Sequence, residues 1–413
     1  MKKFVPLLMV MALVCSVFVL GITFANHHEN AFAQEENIDM KIDKIKFNNG
    51  KLKILHVTDT HLVHDDNRYP TYMVVKEACD RENPDLVVIT GDIVMNYDNA
   101  DETKALIDGL MGIFEERQIP VAVTFGNHDS EVGAMSREDL MAYYNTFSCS
   151  ISVDDGDALS GCGTYNIPIY SSNGEKIAFN VWVFDSNDYD EQQRYSGVKE
   201  DQIAWYKSTS DALKEQNGGE VVNSLVFQHI IVPEIYDALE KTNFPTLFAY
   251  KHLYNKGEYF RFKEDAENHG VIYEKPCPGY YNYGQFDALV EKGDVLAMFF
   301  GHDHTNAFSV KHKGIDIVAS PATRYKSSPY ATQYGYRVIE IDESNTSTYQ
   351  TRVEHLYDTF TMKYAKELKA KGDIDGYKFV RKLAINGWFH KIALDIYVAI
   401  GEFFTGRTVR FEN

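Results

Sequence analysis

Five short apolar runs in this chain each end on a residue able to bind a cation, and that recurrence constrains the fold more than any other feature. Residues 52–58 (LKILHVT) are followed by Asp59 and then His61. Residues 85–90 (DLVVIT) lead to Gly91-Asp92, and residues 120–125 (PVAVTF) to Gly126-Asn127-His128-Asp129. Residues 224–228 (SLVFQ) run into His229, and residues 295–300 (VLAMFF) into Gly301-His302-Asp303-His304. Runs of this length, rich in Val, Ile and Phe, predict buried strands. Helical spacing over 72–81 and 102–117 separates the first three, and Ser136-Arg-Glu-Asp139 predicts a capped helix reaching residue 147. Such alternation predicts an α/β fold, a sheet covered by helices, with ligand residues gathered beyond the carboxyl ends of the strands.

Later segments continue the pattern. Residues 165–170 and 176–184, joined by Ser-Asn-Gly, predict a hairpin, and 201–215 a helix. Residues 230–284 read as irregular and rich in Tyr and Phe, long enough to cap a site. Residues 315–319, 336–341 and 348–353 read as a closing antiparallel meander.

The donor set is informative. Carboxylate, imidazole and one amide, without thiolate, suit divalent or trivalent Mn, Fe or Zn. There are donors enough for two ions, and Asp92 is the natural bridge between them. Each motif taken singly is weak, because an isolated DxH or GD is usually a turn or a cap. All five in this order are specific.

In that order the motifs resemble the calcineurin-like metallophosphoesterase superfamily over roughly residues 50–345. The resemblance implies a four-layer α/β/β/α sandwich of two mixed β-sheets flanked by helices. It implies that Asp59, His61 and His304 bind one metal, that Asn127, His229 and His302 bind the other, and that Asp92 bridges. His128 would stabilise phosphoryl oxygens or protonate the leaving alkoxide, oriented by Asp129. The implied activity is phosphoester hydrolysis by a metal-bridging hydroxide, most simply on monoesters. The alternatives are a phosphodiesterase acting on nucleotides or lipid headgroups, and a non-catalytic binding protein with a retained metal site. VTFGNHDSE, Cys277-Pro-Gly and GQFDALVEKGDVLAMFFGHDHTNAF are most similar to the purple-acid-phosphatase-like branch. True purple enzymes carry Tyr three residues after the bridging Asp; Met95 stands there, with Tyr97 two further on.

The net charge of −19 argues against a nucleic-acid scaffold, which needs clustered cations. Lys2 and Lys3, an uncharged stretch to Asn26, and Ala31-Phe32-Ala33 predict an export signal over 1–33, or a membrane anchor if uncut. The catalytic domain is expected over 38–354, on an extracellular or cell-surface protein. Outside the cytoplasm a Cys149–Cys162 bridge is allowed, as are free thiols. Residues 355–413 form a helical basic extension; from 361 on there are 10 Lys and Arg against 6 Asp and Glu. Its apolar positions recur at helical spacing, predicting a helix packed on the catalytic domain or a membrane-surface helix. His64, Asp65 and Asp66 read as a solvated loop or a pocket mouth, and His252 and His269 as surface histidines. Arg324 and Lys326 are candidates to reach a substrate phosphate.

Overall fold

The computed structural model describes residues 44–408 except 66–67, 130, 132, 155–157, 243–247, 265–267 and 326–332. The expected export segment, with Asp66 and Lys326, lies outside the described residues. From Ile45 onward the chain forms one compact unit.

The first half alternates strand and helix: β1 (Lys51–Val57), α1 (Arg68–Glu82), β2 (Leu86–Thr90), α2 (Ala100–Glu115), β3 (Val121–Thr124) and α3 (Arg137–Tyr144). There follow β4 (Tyr165–Tyr170), β5 (Ile177–Val183), α4 (Glu200–Gln216), β6 (Ser224–Gln228) and α5 (Ile235–Ala238). The aromatic-rich segment holds β7 (Glu240–Thr242), β8 (Tyr250–Lys251), β9 (Tyr259–Arg261) and β10 (His269–Val271). The remainder is α6 (Gln285–Lys292), β11 (Val295–Phe300), β12 (Ala307–His312), β13 (Ile315–Ala319), β14 (Gly335–Asp342), β15 (Asn345–His355), α7 (Leu356–Thr359), α8 (Met362–Ala370) and α9 (Ile374–Thr405).

Two mixed sheets form the centre. One has the order β15-β14-β1-β2-β3, the other β10-β12-β13-β11-β6-β5-β4. Strands β1, β2 and β3 run parallel, as do β5, β6, β11 and β13, so the motif-bearing strands of each sheet end on one side. β2 is buried at all five positions, as a strand covered on both faces must be. Val75 and Ala78 of α1 and Leu106, Ile107 and Leu110 of α2 cover the first sheet. Ile203, Trp205 and Tyr206 of α4 and Phe286 and Leu289 of α6 cover the second. Fully burying each of the Val, Ile, Leu and Phe side chains among these contributes about 1.5–3 kcal/mol. Between the sheets, the His56 ring of β1 meets Phe227 of β6 and Phe299 of β11 edge-on, at 5.2 and 6.3 Å. Helix α3 starts as expected, with Ser136 and Asp139 capping each other's backbone N–H.

Two expectations need correction. The closing strands are not one meander: β13 pairs parallel with β11 in the larger sheet, while β14 and β15 form an antiparallel pair on β1 in the other. The chain changes sheets between them, and apolar runs of equal strength carry no mark of sheet membership. Residues 230–284 are not wholly irregular, since β7, β9 and β8 make a small third sheet. Cys79, Cys149, Cys162 and Cys277 are free thiols, so Cys149 and Cys162 are not bridged.

Helix α9 packs Val380 and Leu383 against Phe360, Leu368, Tyr325 and Val74, joining the extension to the core beside α1. Its opposite face leaves Trp388, Phe389, Ile396, Ile400, Phe403 and Phe404 exposed. Among the described residues no helix is long and apolar enough to cross a membrane.

Candidate metal centre

The carboxyl ends of β1, β2, β3, β6 and β11 meet at one rim, and the backbone there is forced into unusual shapes. Asp59, His61, Asp92 and His302 all have positive φ, at 52, 41, 49 and 69°. Non-glycine residues rarely adopt that region, and such strain persists where the surroundings impose it. Two motif glycines are required by close approach. A Cβ on Gly126 would stand 2.3 Å from Asp92 Oδ1 and 2.8 Å from His229 Cε1; one on Gly301 would stand 1.9 Å from Thr58 Oγ1.

All seven expected ligand residues reach this rim. The donor atoms of Asp59, His61, Asp92 and His304 lie within 4.8 Å of one another, as do those of Asp92, His229 and His302. Asp92 belongs to both groups. Its Oδ2 lies 3.6 Å from His61 Nε2 and 3.3 Å from His229 Nε2. Asp59 Oδ1 lies 3.7 Å from His61 Nε2 and 3.5 Å from His304 Nε2, and the last two nitrogens are 3.0 Å apart. Asn127 Oδ1 sits 3.3 Å from His229 Nε2. An ion with bonds of about 2.1 Å spaces its ligands about 3.0–3.4 Å apart, so these separations fit cations. Asp59 Oδ1, Asp92 Oδ2 and His302 Nε2 are buried and carry no hydrogen bond. Leaving such atoms without a partner is costly, and a cation supplies that partner.

Neighbouring groups orient the donors. His229 Nδ1 donates to Thr90 O at 2.8 Å, which turns Nε2 inward. Asp59 Oδ2 accepts from Thr58 Oγ1 and from His302 N, and Asp92 Oδ1 accepts from His128 N. Burial alone would raise the carboxyls of Asp59 and Asp92; His229 overturns this and holds both below the usual carboxylate range. Burial also disfavours a protonated imidazole at His229, yet Asp92 and Asp59 push its pKa up to about 10. Burial and the His229 charge push His302 down to about 3. The cage is a concentration of negative charge that draws positive charge to it.

His128 stands at the edge, its Nε2 4.0 Å from Asp92 Oδ2. Here the expected partner is corrected. Asp129 does not orient His128: its carboxylate faces inward and accepts from the N–H groups of Asp92, Ile93 and Gly126 at 2.7–2.8 Å. It ties the loop after β2 to the loop after β3. The carboxylate on His128 Nδ1 is that of Glu131, at 2.6 Å. Glu131 also accepts from Tyr189 OH, which accepts from Asn127 Nδ2. Tyr195 and His302 meet edge to face, with centroids 4.4 Å apart.

Other candidates lie elsewhere. His64 Nε2 donates to Glu102 O, and its N–H donates to the hydroxyl of Tyr97. Tyr97 is thus engaged away from the cage, and Met95 is exposed. His252 stacks on Tyr236 at 3.8 Å, and His269 begins β10. Arg324 and Asp65 line a cavity that His61 shares.

This fold and rim define a class, the calcineurin-like phosphoesterases; that family's profile matches residues 52–306, and the chain belongs to it. Its relatives include a protein of Arabidopsis thaliana named probable inactive purple acid phosphatase 14. That protein is 28% identical over 351 residues, 76% of this chain and 80% of that one. The protein named probable inactive purple acid phosphatase 29, also of Arabidopsis thaliana, is 26% identical over 66% of this chain and 72% of its own length. A dimetal phosphatase from Danio rerio aligns in structure over 73% of this chain and 98% of that one, at 14% identity and a TM-score of 0.46.

Proposed function

We propose that the protein hydrolyses phosphate esters at a two-metal centre and acts on monoesters. The observation carrying this reading is the set of three buried, unpartnered donor atoms, Asp59 Oδ1, Asp92 Oδ2 and His302 Nε2, within a cage of carboxylate, imidazole and amide. Asp59, His61 and His304 would hold one cation, Asn127, His229 and His302 the other, with Asp92 shared between the two groups; Mn, Fe or Zn would suit these donors. Cations bound there would supply positive charge for phosphoryl oxygens and would lower the pKa of a water. His128 Nε2 delivers a proton to the departing alkoxide while Glu131 steadies its Nδ1.

A second reading is a binding protein that keeps the metal site, favoured by the word inactive in the two Arabidopsis names. Turnover of p-nitrophenyl phosphate separates the two. The proposal predicts metal-dependent hydrolysis, nearly abolished in His304→Ala and Asp92→Asn, and faster than that of bis-p-nitrophenyl phosphate. Full activity in both variants would sink it; a preference for the diester would turn it into a phosphodiesterase.

We also propose that the protein works outside the cytoplasm, on a membrane surface. Support comes from the export-type segment over 1–33 and from α9, where Lys378, Arg381 and Lys382 precede the exposed apolar face at helical spacing.

A further inference from the structure

Beside the cage, on the side of His61, lies a cavity of about 250 Å³ lined by His61, Val63, Asp65, Arg68, Thr71 and Arg324, among others. None of Asp92, Asn127, His229 and His302 lines it, so it adjoins the cage without being part of it. Arg324 is only 9% exposed. Its guanidinium stands 5.8 Å from the centre of the Tyr334 ring, and among the described residues no oxygen accepts a hydrogen bond from it. Most of the side chain is buried, and its guanidinium is left to the cavity it lines, where an anion would supply charge-assisted hydrogen bonds. The segment carrying Arg324 is fixed against the site: Ala322 N donates to His304 O at 2.9 Å, and Thr323 N to Thr58 O at 2.7 Å. Arg68 opens α1 on the same lining, its Nη1 2.7 Å from His64 Nδ1. The first turn of α1 holds no acidic side chain, so its N–H groups and dipole add to the attraction. Asp65 is the one carboxylate on the lining.

We propose that this cavity is an anion subsite, and that the preferred substrates are phosphomonoesters carrying a second phosphate or carboxylate, which Arg324 and Arg68 bind while the scissile ester lies in the cage. This rests on the phosphoesterase reading for the identity of the ligand, but not for the existence of the subsite.

The test is calorimetry on full-length, Mn-loaded protein with propane-1,3-bisphosphonate and propylphosphonate, neither of which is hydrolysed. Wild type binds the bisphosphonate about tenfold more tightly, as one charge-assisted hydrogen bond implies. Arg324→Gln brings that ratio to about one, and Arg68→Gln lowers it in a variant whose fold does not depend on a buried change. The melting temperature of ligand-free Arg324→Gln changes little, because no hydrogen bond is lost and the contact with the Tyr334 ring is a long one. Equal affinities in wild type, a ratio surviving Arg324→Gln, or an Arg324→Gln protein that fails to fold would each overturn the subsite. A protein that hydrolyses no phosphoester yet keeps the ratio removes the phosphoesterase reading and leaves the subsite. An active protein with no ratio does the reverse.

Discussion

His128, Glu131, Tyr189 and Asn127 form one hydrogen-bonded chain from the rim of the cage into its floor. Glu131 holds the Nδ1 proton of His128, which leaves Nε2 as the atom that meets a leaving group. Glu131→Gln is therefore expected to lower kcat by roughly tenfold to a hundredfold on alkyl phosphates, whose alkoxides need a proton. On p-nitrophenyl phosphate, whose leaving group departs unaided, the loss should be much smaller. Equal losses on both substrates would show that Glu131 merely supports the loop. The sequence places a carboxylate near His128 but not the right one. Asp129 and Glu131 share one short loop, and only the backbone turn decides which points outward. Asp129 turns under the loop because three N–H groups, from two different strand ends, need an acceptor there. Arg324 is legible as a cation near the site, but the cavity it lines beside the cage is not.

The strands that carry the ligands were legible because apolar, β-branched runs ending in Gly, Asp or His leave few alternatives. What the runs do not encode is which sheet each joins, so the break between β13 and β14 is not legible in them. His56 marks where the two sheets are held together. It is wholly buried, with Nδ1 on Ser320 Oγ and Nε2 on Thr90 Oγ1, at 2.9 and 2.7 Å. Burial, and then the charge of Arg337, push its pKa down to about 3. Below the unfolded value near 6.5 the unfolded chain gains a proton that the folded one refuses, so stability present at pH 7 is lost as the pH falls toward 3. By pH 5 this single group costs about 2 kcal/mol. Urea unfolding of His56→Asn should show a fall in stability from pH 7 to pH 5 that is smaller by that amount. An identical fall in both proteins would mean that His56 titrates normally.

At the scale of the whole molecule, charge is divided unevenly. The chain is −19 overall, while residues 361–413 carry an excess of cations. Helix α9 turns one face to the core and displays Trp388 and Phe403 at 61 and 80% exposure on another. The protein should co-sediment with vesicles containing phosphatidylglycerol and much less with pure phosphatidylcholine vesicles. Replacing Trp388, Phe389 and Phe403 with Ser should release it. Failure to sediment would contradict the membrane reading, and a dimer dissolved by the same substitutions would assign that face to a second copy of the chain. Whatever surface α9 meets, the rim where the two sheets converge stands or falls on its cations. Elemental analysis of the purified protein after exposure to Mn or Zn and gel filtration tests this most directly. The account predicts two ions per chain in wild type and fewer than one in Asp92→Asn. A wild-type protein that retains none, or an Asp92→Asn protein that retains two, would contradict it.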